Sequence, residues 1–426
     1  MIMLVFSARG QGITFVHDLS WQQILQKAVA EDKYIFVDCF ATWCGPCKRM
    51  DKKIYSDDSI GVFTNERFIS VKIQMDTTRQ DNDEVRKWYV MAHSIMEDYH
   101  ISAYPTYLFF SPTGRAMHKR IGEMNRSDFI GMEQAAKDSN QQYYTLLCKY
   151  RDGARDYVSM PVLMTAAEQA DNYTLATQVK KEYVHDYLDK LPGGVTWNRE
   201  NVDLLNRFSL VMNCNDRIFQ SYYQNRFAID SIMREPHFAD RMINWIIYHN
   251  QVKPYLDSII HNGRKPDWSR LKRGLNKSYD ALYINKSVLD ARVEYYKAKM
   301  KWKQYVKYFI EQQENAGIAG WQLVGVDWSF NRLMLNNAAY TVFLYGNKRQ
   351  VERALSWVDR SLSLDSTYFY AMDTKANILY KLGRNEEGLK LEEKVYHLVS
   401  TGFPDYSEIQ DSYEKMKKGL PTWVSE

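Results

Sequence analysis

Residues 36–50 read FVDCFATWCGPCKRM, an apolar run followed by two cysteines that enclose a Gly-Pro dipeptide. The segment YIFVDCF at 34–40 is short, nearly continuous in apolar residues and β-rich, which predicts a strand buried on both faces. The following CGPCKRMDKKI predicts a helix, because proline is tolerated in a first helical turn. Cys44 is therefore expected at the start of a helix, directly after a buried strand.

Cys44 and Cys47 could bind a metal, staple the fold or exchange electrons with other proteins. A zinc site needs four ligands, and neither the other three cysteines nor the nine histidines supply a second pair at ligand spacing. A disulfide across two residues closes too small a loop to constrain the unfolded chain much. Redox exchange is the favoured interpretation, and no metal and no cofactor beyond the dithiol are expected.

The expected position of Cys44 gives the two sulfurs different roles. Unpaired N–H groups and the positive end of the helix dipole stabilise a thiolate over a thiol, and the thiolate is the attacking species. Cys44 is therefore expected to be exposed and ionised near neutral pH. Cys47, one turn further in, is expected to be shielded and to attack a disulfide already formed at Cys44. Pro46 stiffens the first turn, and Gly45 leaves space for an incoming polypeptide.

The surrounding sequence alternates helix and strand patterns up to about residue 140. Ser20 and Gln23 stand at capping-box spacing in a helical pattern at 20–30. A second helix is predicted over DEVRKWYVMAHSIMEDY at 83–99. Further strands are predicted at 67–75, 106–111 and 115–122. This order predicts a mixed sheet with helices on its faces.

FVDCFATWCGPCK resembles the active-site segment of thioredoxins, whose usual pattern is V-D-F-x-A-x-W-C-G-P-C-K. KIQMD at 72–76 is similar to the family's K-x-x-x-D stretch, and AYPT at 103–106 stands where the family has its cis-proline. RIG ends on Gly122, where the family has a glycine in its substrate groove. The likeness covers residues 15–140. It implies an α/β thioredoxin fold, a mixed sheet flanked by helices, and thiol–disulfide chemistry.

The resemblance also assigns chemical roles. Cys44 would attack a client disulfide, and Cys47 would resolve the mixed disulfide. Asp38, on the strand beneath them, would be the buried carboxylate that takes the proton from Cys47, with Lys72 as its charge partner. Burial raises a carboxyl pKa and a nearby lysine lowers it, so the sequence leaves open which effect prevails. An ordinary salt-bridged lysine is an equally good interpretation of Lys72.

Residues around the dithiol are expected to contact the client. Trp43 and Tyr104 would form the walls of a groove, and backbone groups around Tyr104 and Pro105 would pair with an extended client segment as a strand does. Pro105 is expected to lie across from the dithiol, with a cis peptide bond from Tyr104. The client-binding residues implied in this way are Trp43, Gly45, Pro46, Tyr104, Pro105 and Gly122.

The sequence departs from the thioredoxin pattern in two places. Cys39 stands where the family has an aromatic residue, and it is either inert or a third redox-active thiol. The stretch 76–103 is longer than usual, so the helix before Pro105 carries an insertion or extension. A buried small hydrophobe is the default interpretation of the three remaining cysteines, Cys39, Cys148 and Cys214.

Beyond the thioredoxin-like domain the patterns are helical. They predict an all-helical domain at 141–330 and tetratricopeptide-like helical repeats at 331–426. Two segments there superpose at an offset of 37 residues, with Ala339 on Ala376. Each segment predicts a helix, a turn that contains glycine, and a second helix. Such repeats commonly bind proteins, and a purely structural layer is an equally good interpretation.

Charge and hydropathy restrict the partners and the location. A net charge of +4, from 56 basic and 52 acidic residues, gives no reason to expect a nucleic-acid partner. No apolar run is long enough to cross a bilayer. Residues 1–14 are interpreted either as the end of a truncated export signal or as containing a short first strand of a cytoplasmic protein. The export interpretation is favoured and predicts a periplasmic or secreted protein.

These observations predict a thiol–disulfide oxidoreductase, specifically a protein-disulfide reductase. Its clients would be disulfide-containing proteins, and its electrons would come from an unidentified donor. The Gly-Pro dipeptide resembles that of reducing family members. The nearest alternative is a disulfide isomerase that forms a homodimer through the helical region. The alternative from another class is a helical-repeat interaction protein with a sensory or vestigial dithiol.

Overall fold

The computed structural model of the chain describes residues 12–314, 328–399 and 406–423. The first 11 residues, on which the export interpretation depends, lie outside the described residues. By their internal contacts the residues divide into two compact units, 1–192 and 193–426. The finer boundaries expected at residues 140 and 330 stay predictions.

A five-stranded mixed sheet forms the centre of the first unit, with the strand order β1-β3-β2-β4-β5. β1, β3 and β2 run parallel, while β4 is antiparallel to both β2 and β5. The central strand β2 coincides with the predicted segment 34–40, and the two-residue β1 has no counterpart among the predictions. The strands are β1 Phe15–Val16, β2 Tyr34–Phe40, β3 Phe68–Gln74, β4 Thr106–Phe110 and β5 Ala116–Ile121.

Helices cover both faces of this sheet. Because side chains alternate along a strand, Phe36 of β2 faces one core layer and its neighbours Ile35 and Val37 face the other. The Phe36 layer includes Phe129 and is covered by α3, α6 and a π-helical turn at Asp51–Tyr55. The other layer is covered by α1 and α5. The helices up to the end of the sheet domain are α1 Trp21–Glu31, α2 Gly45–Met50, α3 Asp58–Arg67, α4 Asp83–Lys87, α5 Tyr89–Asp98 and α6 Arg126–Lys137.

Helix α1 begins as the sequence predicts. The Ser20 side chain accepts from the Gln23 backbone N–H, and the Gln23 side chain accepts from the Ser20 backbone, which completes a capping box. The helix predicted at 83–99 is instead two helices, α4 and α5. The chain departs from helical geometry at Trp88, where ψ is −9°, and that side chain packs into the core beside β3.

Asp81 ties the extended stretch before α4 to the sheet. Its carboxylate accepts hydrogen bonds from the Thr78 backbone N–H at 2.7 Å and from the Tyr89 hydroxyl at 2.6 Å. The Gln74 side-chain amide, at the end of β3, also donates to it. The Thr78 hydroxyl donates to Asp81 Oδ1 at 2.6 Å. This hydrogen bond and the others hold the pKa of Asp81 below its usual value.

Three further α-helices follow α6 in the first unit: α7 Tyr143–Arg151, α8 Met160–Gln169 and α9 Tyr173–Glu182. A π-helical turn at Tyr183–Tyr187 and a 3-10 turn at Leu188–Lys190 follow α9. Helix α7 is joined to β5 by a hydrogen bond of 3.2 Å from the Tyr143 backbone N–H to His118 Nδ1. Burial lowers the pKa of His118 to about 3, so the ring is neutral and can accept.

Cys148 is exposed, so the default interpretation of a buried thiol was wrong there. The buried residues of α7 follow a different helical stripe, namely Tyr143, Leu146, Leu147 and Tyr150.

The second unit is helical throughout its described residues, and no described residue after Ile121 belongs to a strand. None of the helices in the described part of the chain is both long and apolar enough to cross a membrane. The helices before the gap are α10 Arg199–Asn206, α11 Arg217–Gln224, α12 Arg226–Met233, α13 Phe238–Ile247, α14 Lys253–His261, α15 Trp268–Leu275, α16 Ala281–Ala298 and α17 Trp302–Glu314. Those after it are α18 Trp328–Tyr345, α19 Lys348–Leu364, α20 Phe369–Lys381, α21 Asn385–Leu398 and α22 Tyr406–Lys417.

The two segments that repeat in the sequence form the helix pairs α18–α19 and α20–α21. Each pair turns at a glycine, Gly346 or Gly383. A Cβ at Gly346 would lie 2.5 Å from the Val342 carbonyl oxygen, so the first turn has no room for a side chain. Gly383 has a φ of +90°, which favours glycine for a different reason. Glycine at both turns therefore fits the local backbone of this repeat.

Candidate active site

Cys44 and Cys47 form a disulfide at the N-terminus of α2. Cys44 is the N-cap residue, and its Sγ accepts a hydrogen bond of 3.0 Å from the backbone N–H of Cys47. Pro46 occupies the first turn, where its missing N–H leaves no intrahelical hydrogen bond unmade. Once the disulfide is reduced, the same N–H and the helix N-terminus would stabilise a thiolate at Cys44.

Both sulfurs are shielded in this oxidised form. Cys44 is 1% exposed and Cys47 is 3% exposed, so the expected contrast between an exposed and a shielded cysteine was wrong for the disulfide. The reason is packing, since the side chains of Phe40 and Tyr104 lie against the two cysteines. Trp43, by contrast, is 70% exposed, and its ring meets that of Tyr104 edge-on at 5.8 Å.

Asp38 is buried in β2, with 1% of its surface exposed. Burial raises its pKa to about 7, against the lowering effects of the Lys72 ammonium and the Tyr55 hydroxyl. Of the two opposing effects that the sequence leaves open, burial therefore prevails. A carboxyl group with this pKa exchanges protons readily near neutral pH.

Lys72 lies opposite Asp38 in the β2–β3 register but contacts two carboxylates. Its Nζ is 3.8 Å from Asp38 Oδ2, and it makes a much shorter contact with Asp51 Oδ1. Lys72 is thus shared, and its closer partner is Asp51 rather than the predicted Asp38. The Asp51 charge in turn contributes to the raised pKa of Asp38.

Asp51 is a residue that the sequence reasoning missed. It stands four residues after Cys47, and its backbone N–H donates to the Cys47 carbonyl, so the two residues share one face of the helical segment. Lys72 therefore connects the helix face that carries Cys47 with the buried carboxyl of Asp38. The spacing of Cys47 and Asp51 in CKRMD was the available signal.

Two buried tyrosines complete the surroundings of Asp38. Tyr107 pairs with Asp38 across β2 and β4, and Tyr55 ends the π-helical turn after α2. Within the described residues, neither hydroxyl nor Asp38 Oδ1 has a well-formed hydrogen bond. Burial raises the pKa of both tyrosines, and the Asp38 charge raises them further. An uncompensated polar cluster of this kind is costly and favours a proton or a water at Asp38.

Pro105 follows a cis peptide bond from Tyr104 and directly precedes β4. Its carbonyl accepts from the Gly122 N–H at 2.9 Å, and Gly122 has a φ of +100° with open space where a side chain would lie. Tyr104 makes no backbone hydrogen bond within the part of the chain that the structure describes. Its N–H and C=O are therefore available to an extended segment. Gly45 is also exposed, with only Arg49 near the position of a Cβ.

Asp76 fixes the loop between β2 and α2. Its Oδ1 accepts from the Thr42 backbone N–H at 2.9 Å, and its Oδ2 accepts from the Thr42 hydroxyl. These bonds hold the residue that precedes Trp43 and Cys44. The aspartate of the KIQMD stretch thus supports the loop rather than the chemistry.

Cys39 lies on the opposite face of β2 from Asp38. It is fully buried in the apolar layer beneath α1 and α5, and burial raises its pKa well above the usual value. Such a thiol resists ionisation, which supports the inert alternative. Cys214 is also buried, as the default interpretation expects.

The strand order, the cysteine pair at the start of α2 and the cis-proline at the start of β4 define the first unit as a thioredoxin fold. Residues 14–145 match a family model named Thioredox_DsbH and described as "Protein of unknown function, DUF255". A solved structure titled as a putative disulphide-isomerase from Bacteroides thetaiotaomicron is 30% identical. That alignment covers 31% of this chain and 98% of that one, with a TM-score of 0.26.

Curated thioredoxins match the same part of the chain. Thioredoxin-2 of Pyricularia oryzae is 34% identical over 97 residues, which are 22% of this chain and 45% of that protein, less than half its length. Thioredoxin-1 of Saccharomyces cerevisiae is 33% identical over 95 residues, which are 22% of this chain and 74% of that protein. The chain belongs to the thioredoxin family.

Proposed function

We propose that this protein is a thiol–disulfide oxidoreductase that reduces disulfides of protein clients through Cys44 and Cys47. One observation carries the proposal: the Cys44 sulfur caps a helix and accepts the Cys47 N–H at 3.0 Å. Once the disulfide is reduced, this contact would stabilise negative charge on Cys44 and not on Cys47.

The first step is attack by the Cys44 thiolate on a client disulfide. A bond forms between Cys44 Sγ and one client sulfur, the client disulfide breaks, and the second client sulfur leaves as a thiolate. Exposed Trp43, the free backbone groups of Tyr104 and the open space at Gly122 would hold the client chain extended during this step.

In the second step Cys47 attacks Cys44 Sγ. The Cys44–Cys47 disulfide forms, the first client sulfur leaves, and two electrons have passed from the dithiol to the client. Cys47 must lose a proton, and Asp38 is the group with a suitable pKa, about 7. Lys72 and Asp51 are positioning residues that adjust this pKa.

The proposed direction, reduction of client disulfides, rests on the Gly-Pro dipeptide between the cysteines. A separate reductant must regenerate the dithiol, and no cofactor of the protein's own is required. Clients that carry disulfides occur mainly in oxidising compartments, so a periplasmic or secreted location fits this activity.

Trapping the client tests the proposal. In the full-length Cys47→Ser variant, mixed disulfides with client proteins should accumulate on Cys44 and disappear on reduction. Cys44→Ser should trap nothing and should reduce a peptide disulfide at least about 100-fold more slowly than the native protein. An equal rate in Cys44→Ser would refute the assignment.

Two substrates distinguish reduction of client disulfides from their isomerisation. A reductase should reduce a native-like exposed disulfide faster than it restores a scrambled protein, and an isomerase should show the opposite order. Tight client binding by the full-length Cys44→Ser/Cys47→Ser variant, combined with slow exchange in the native protein, would support the interaction protein instead.

A further inference from the structure

The second unit contains a polar cavity of about 270 Å³ among α18, α20 and α22. Three asparagines, two carboxylates and aromatic rings line it. The residues on which the inference depends are Asn336, Tyr340, Phe343, Asp373, Asn377 and Glu408. None of them takes part in the chemistry proposed for the first unit.

Two buried side-chain oxygens at this cavity lack a hydrogen-bond donor within the described residues. Asn336 is 6% exposed and Asn377 is 2% exposed, and the side-chain oxygen of each has no hydrogen-bond partner within the described residues. The orientation of the Asn377 amide is fixed, because its Nδ2 donates to the carbonyl and to Oδ1 of Asp373, both at 3.0 Å. Burying acceptors without donors is costly, so a positive charge in the cavity would be stabilised by the two oxygen dipoles.

The cavity also has negative charge without a counter-ion. Asp373 and Glu408 line it, no lining residue is a lysine, arginine or histidine, and neither carboxylate forms an ion pair with a described residue. Glu392 lies fully buried beside Asp373. Burial raises the pKa of both carboxyls, and that of Glu392 more, because the charge of Asp373 adds to the effect.

Aromatic rings favour a cation with an apolar stem. Tyr340 and Phe343 line the cavity with their centroids 5.8 Å apart. Burial raises the pKa of Tyr340, and the charges of Asp373 and Glu408 raise it further. The electrostatic field of both carboxylates therefore reaches the Tyr340 side of the cavity. Ring faces attract ammonium groups and pack against methylene chains. The described residues contain no group of three or more His, Cys, Asp or Glu side chains suited to a metal ion.

We propose that this cavity binds a primary ammonium group on an aliphatic chain, such as a lysine side chain of a polypeptide or a free diamine. The ammonium group would donate to the carboxylate of Asp373, and the buried, unpaired oxygens of Asn336 and Asn377 would stabilise its charge from behind the cavity wall. Glu408 supplies further negative charge at the exposed side, and the methylene chain lies along Tyr340 and Phe343.

Calorimetric titration of the full-length, oxidised protein tests this proposal. The probes are 1,5-diaminopentane and a short lysine-containing peptide, with the same peptide acetylated on its lysine as control. Binding of the diamine or of the unmodified peptide is expected, and acetylation should weaken peptide binding about tenfold or more. Peptide binding without diamine binding identifies a polypeptide source, and the reverse identifies a free amine.

Matched variants assign the binding to this cavity. Glu408→Gln should weaken binding about tenfold, because it removes an exposed cavity charge without disturbing the core. Glu414→Gln removes the same charge from the same helix outside the cavity and should bind like the native protein. No binding of either amine, equal binding of the acetylated peptide, or equal loss in both variants would overturn the proposal.

Discussion

Two carboxyl groups in the first unit are both buried and both have a raised pKa, but their neighbouring groups differ. Asp38 lies in β2 near the cysteine pair, and Glu133 lies in α6, where it is fully buried. Burial raises the pKa of Asp38 to about 7 and that of Glu133 to about 8. By pKa alone, either group could act as a base near neutral pH.

Their hydrogen bonds separate them. Both oxygens of Glu133 lie within hydrogen-bond distance of the Thr64 hydroxyl, at 2.8 and 3.1 Å. Asp38 Oδ1 has no well-formed hydrogen bond within the described residues, although the Tyr55 hydroxyl is near enough to lower the pKa of Asp38. Asp38 also faces Lys72, which forms an ion pair with Asp51 as well. Burial thus raises the pKa in both regions, but only Asp38 of these two groups combines an oxygen without a well-formed hydrogen bond with a lysine shared between two carboxylates. This difference supports the proposal that Asp38, and not Glu133, transfers the proton.

The largest expected difference between the two regions is in the rate of client release from the Cys44 mixed disulfide. Asp38→Asn should slow the release of a client from the Cys44 mixed disulfide by about 10- to 100-fold at neutral pH, because Cys47 loses its proton acceptor. Glu133→Gln should leave this rate within about twofold, since Glu133 does not touch the reacting sulfurs. Both rates are measured by rapid mixing, as client release in a single turnover. Equal rate losses in the two variants would show that the substitutions act through folding and not through proton transfer.

Stability should depend on pH in the same direction for both groups. The folded protein retains a proton on Asp38 between about pH 4 and pH 7, whereas the unfolded chain has lost it. The free energy of unfolding therefore falls as pH rises through this window. Asp38→Asn should be more stable than the native protein at about pH 8.5, by on the order of a few kcal/mol, and should lose this advantage at about pH 4.

Denaturant unfolding of the oxidised protein at several pH values measures this linkage. Glu133→Gln should show the same sign, with its window extending to about pH 8. A stability difference that does not vary with pH in Asp38→Asn would contradict the raised pKa of Asp38.

Asp51→Asn should have a smaller effect, on the pH profile rather than on the maximal rate. Without Asp51, the Lys72 charge acts on Asp38 alone, so the pKa of Asp38 should fall by about half a unit to one unit. The acidic limb of the client-release profile should move to lower pH by the same amount. Asp58→Asn removes the same charge from the start of α3, away from Lys72, and should leave the profile in place.

The smallest effects are expected at Cys39, on the other face of the same strand. Cys39→Ala should change the reduction rate by less than about twofold and cost about 1 kcal/mol of stability, because it only shortens a buried side chain. In the native oxidised protein, an alkylating reagent should label Cys148 and spare Cys39 and Cys214. A large rate change in Cys39→Ala would restore the hypothesis of a third redox-active thiol.

Local sequence patterns predicted the elements that carry the site. The β-rich run at 34–40 became β2, and the Gly-Pro dipeptide became the first turn of α2, since both depend on residues adjacent in the chain. Capping by Ser20 followed from the spacing of two side chains. The prediction failed at Trp88, where the chain leaves helical geometry and the side chain packs against the core, although the apolar pattern continues through it.

The sequence by itself therefore determined the strand, the helix start and the placement of Cys44 at that start, because short-range backbone preferences decide them. Only the tertiary structure decided that Lys72 pairs with Asp51, that burial prevails at Asp38, that Tyr104 covers the disulfide and that Cys148 faces outward. These properties depend on distances between side chains far apart in the chain and on the water excluded around them, neither of which a local pattern contains.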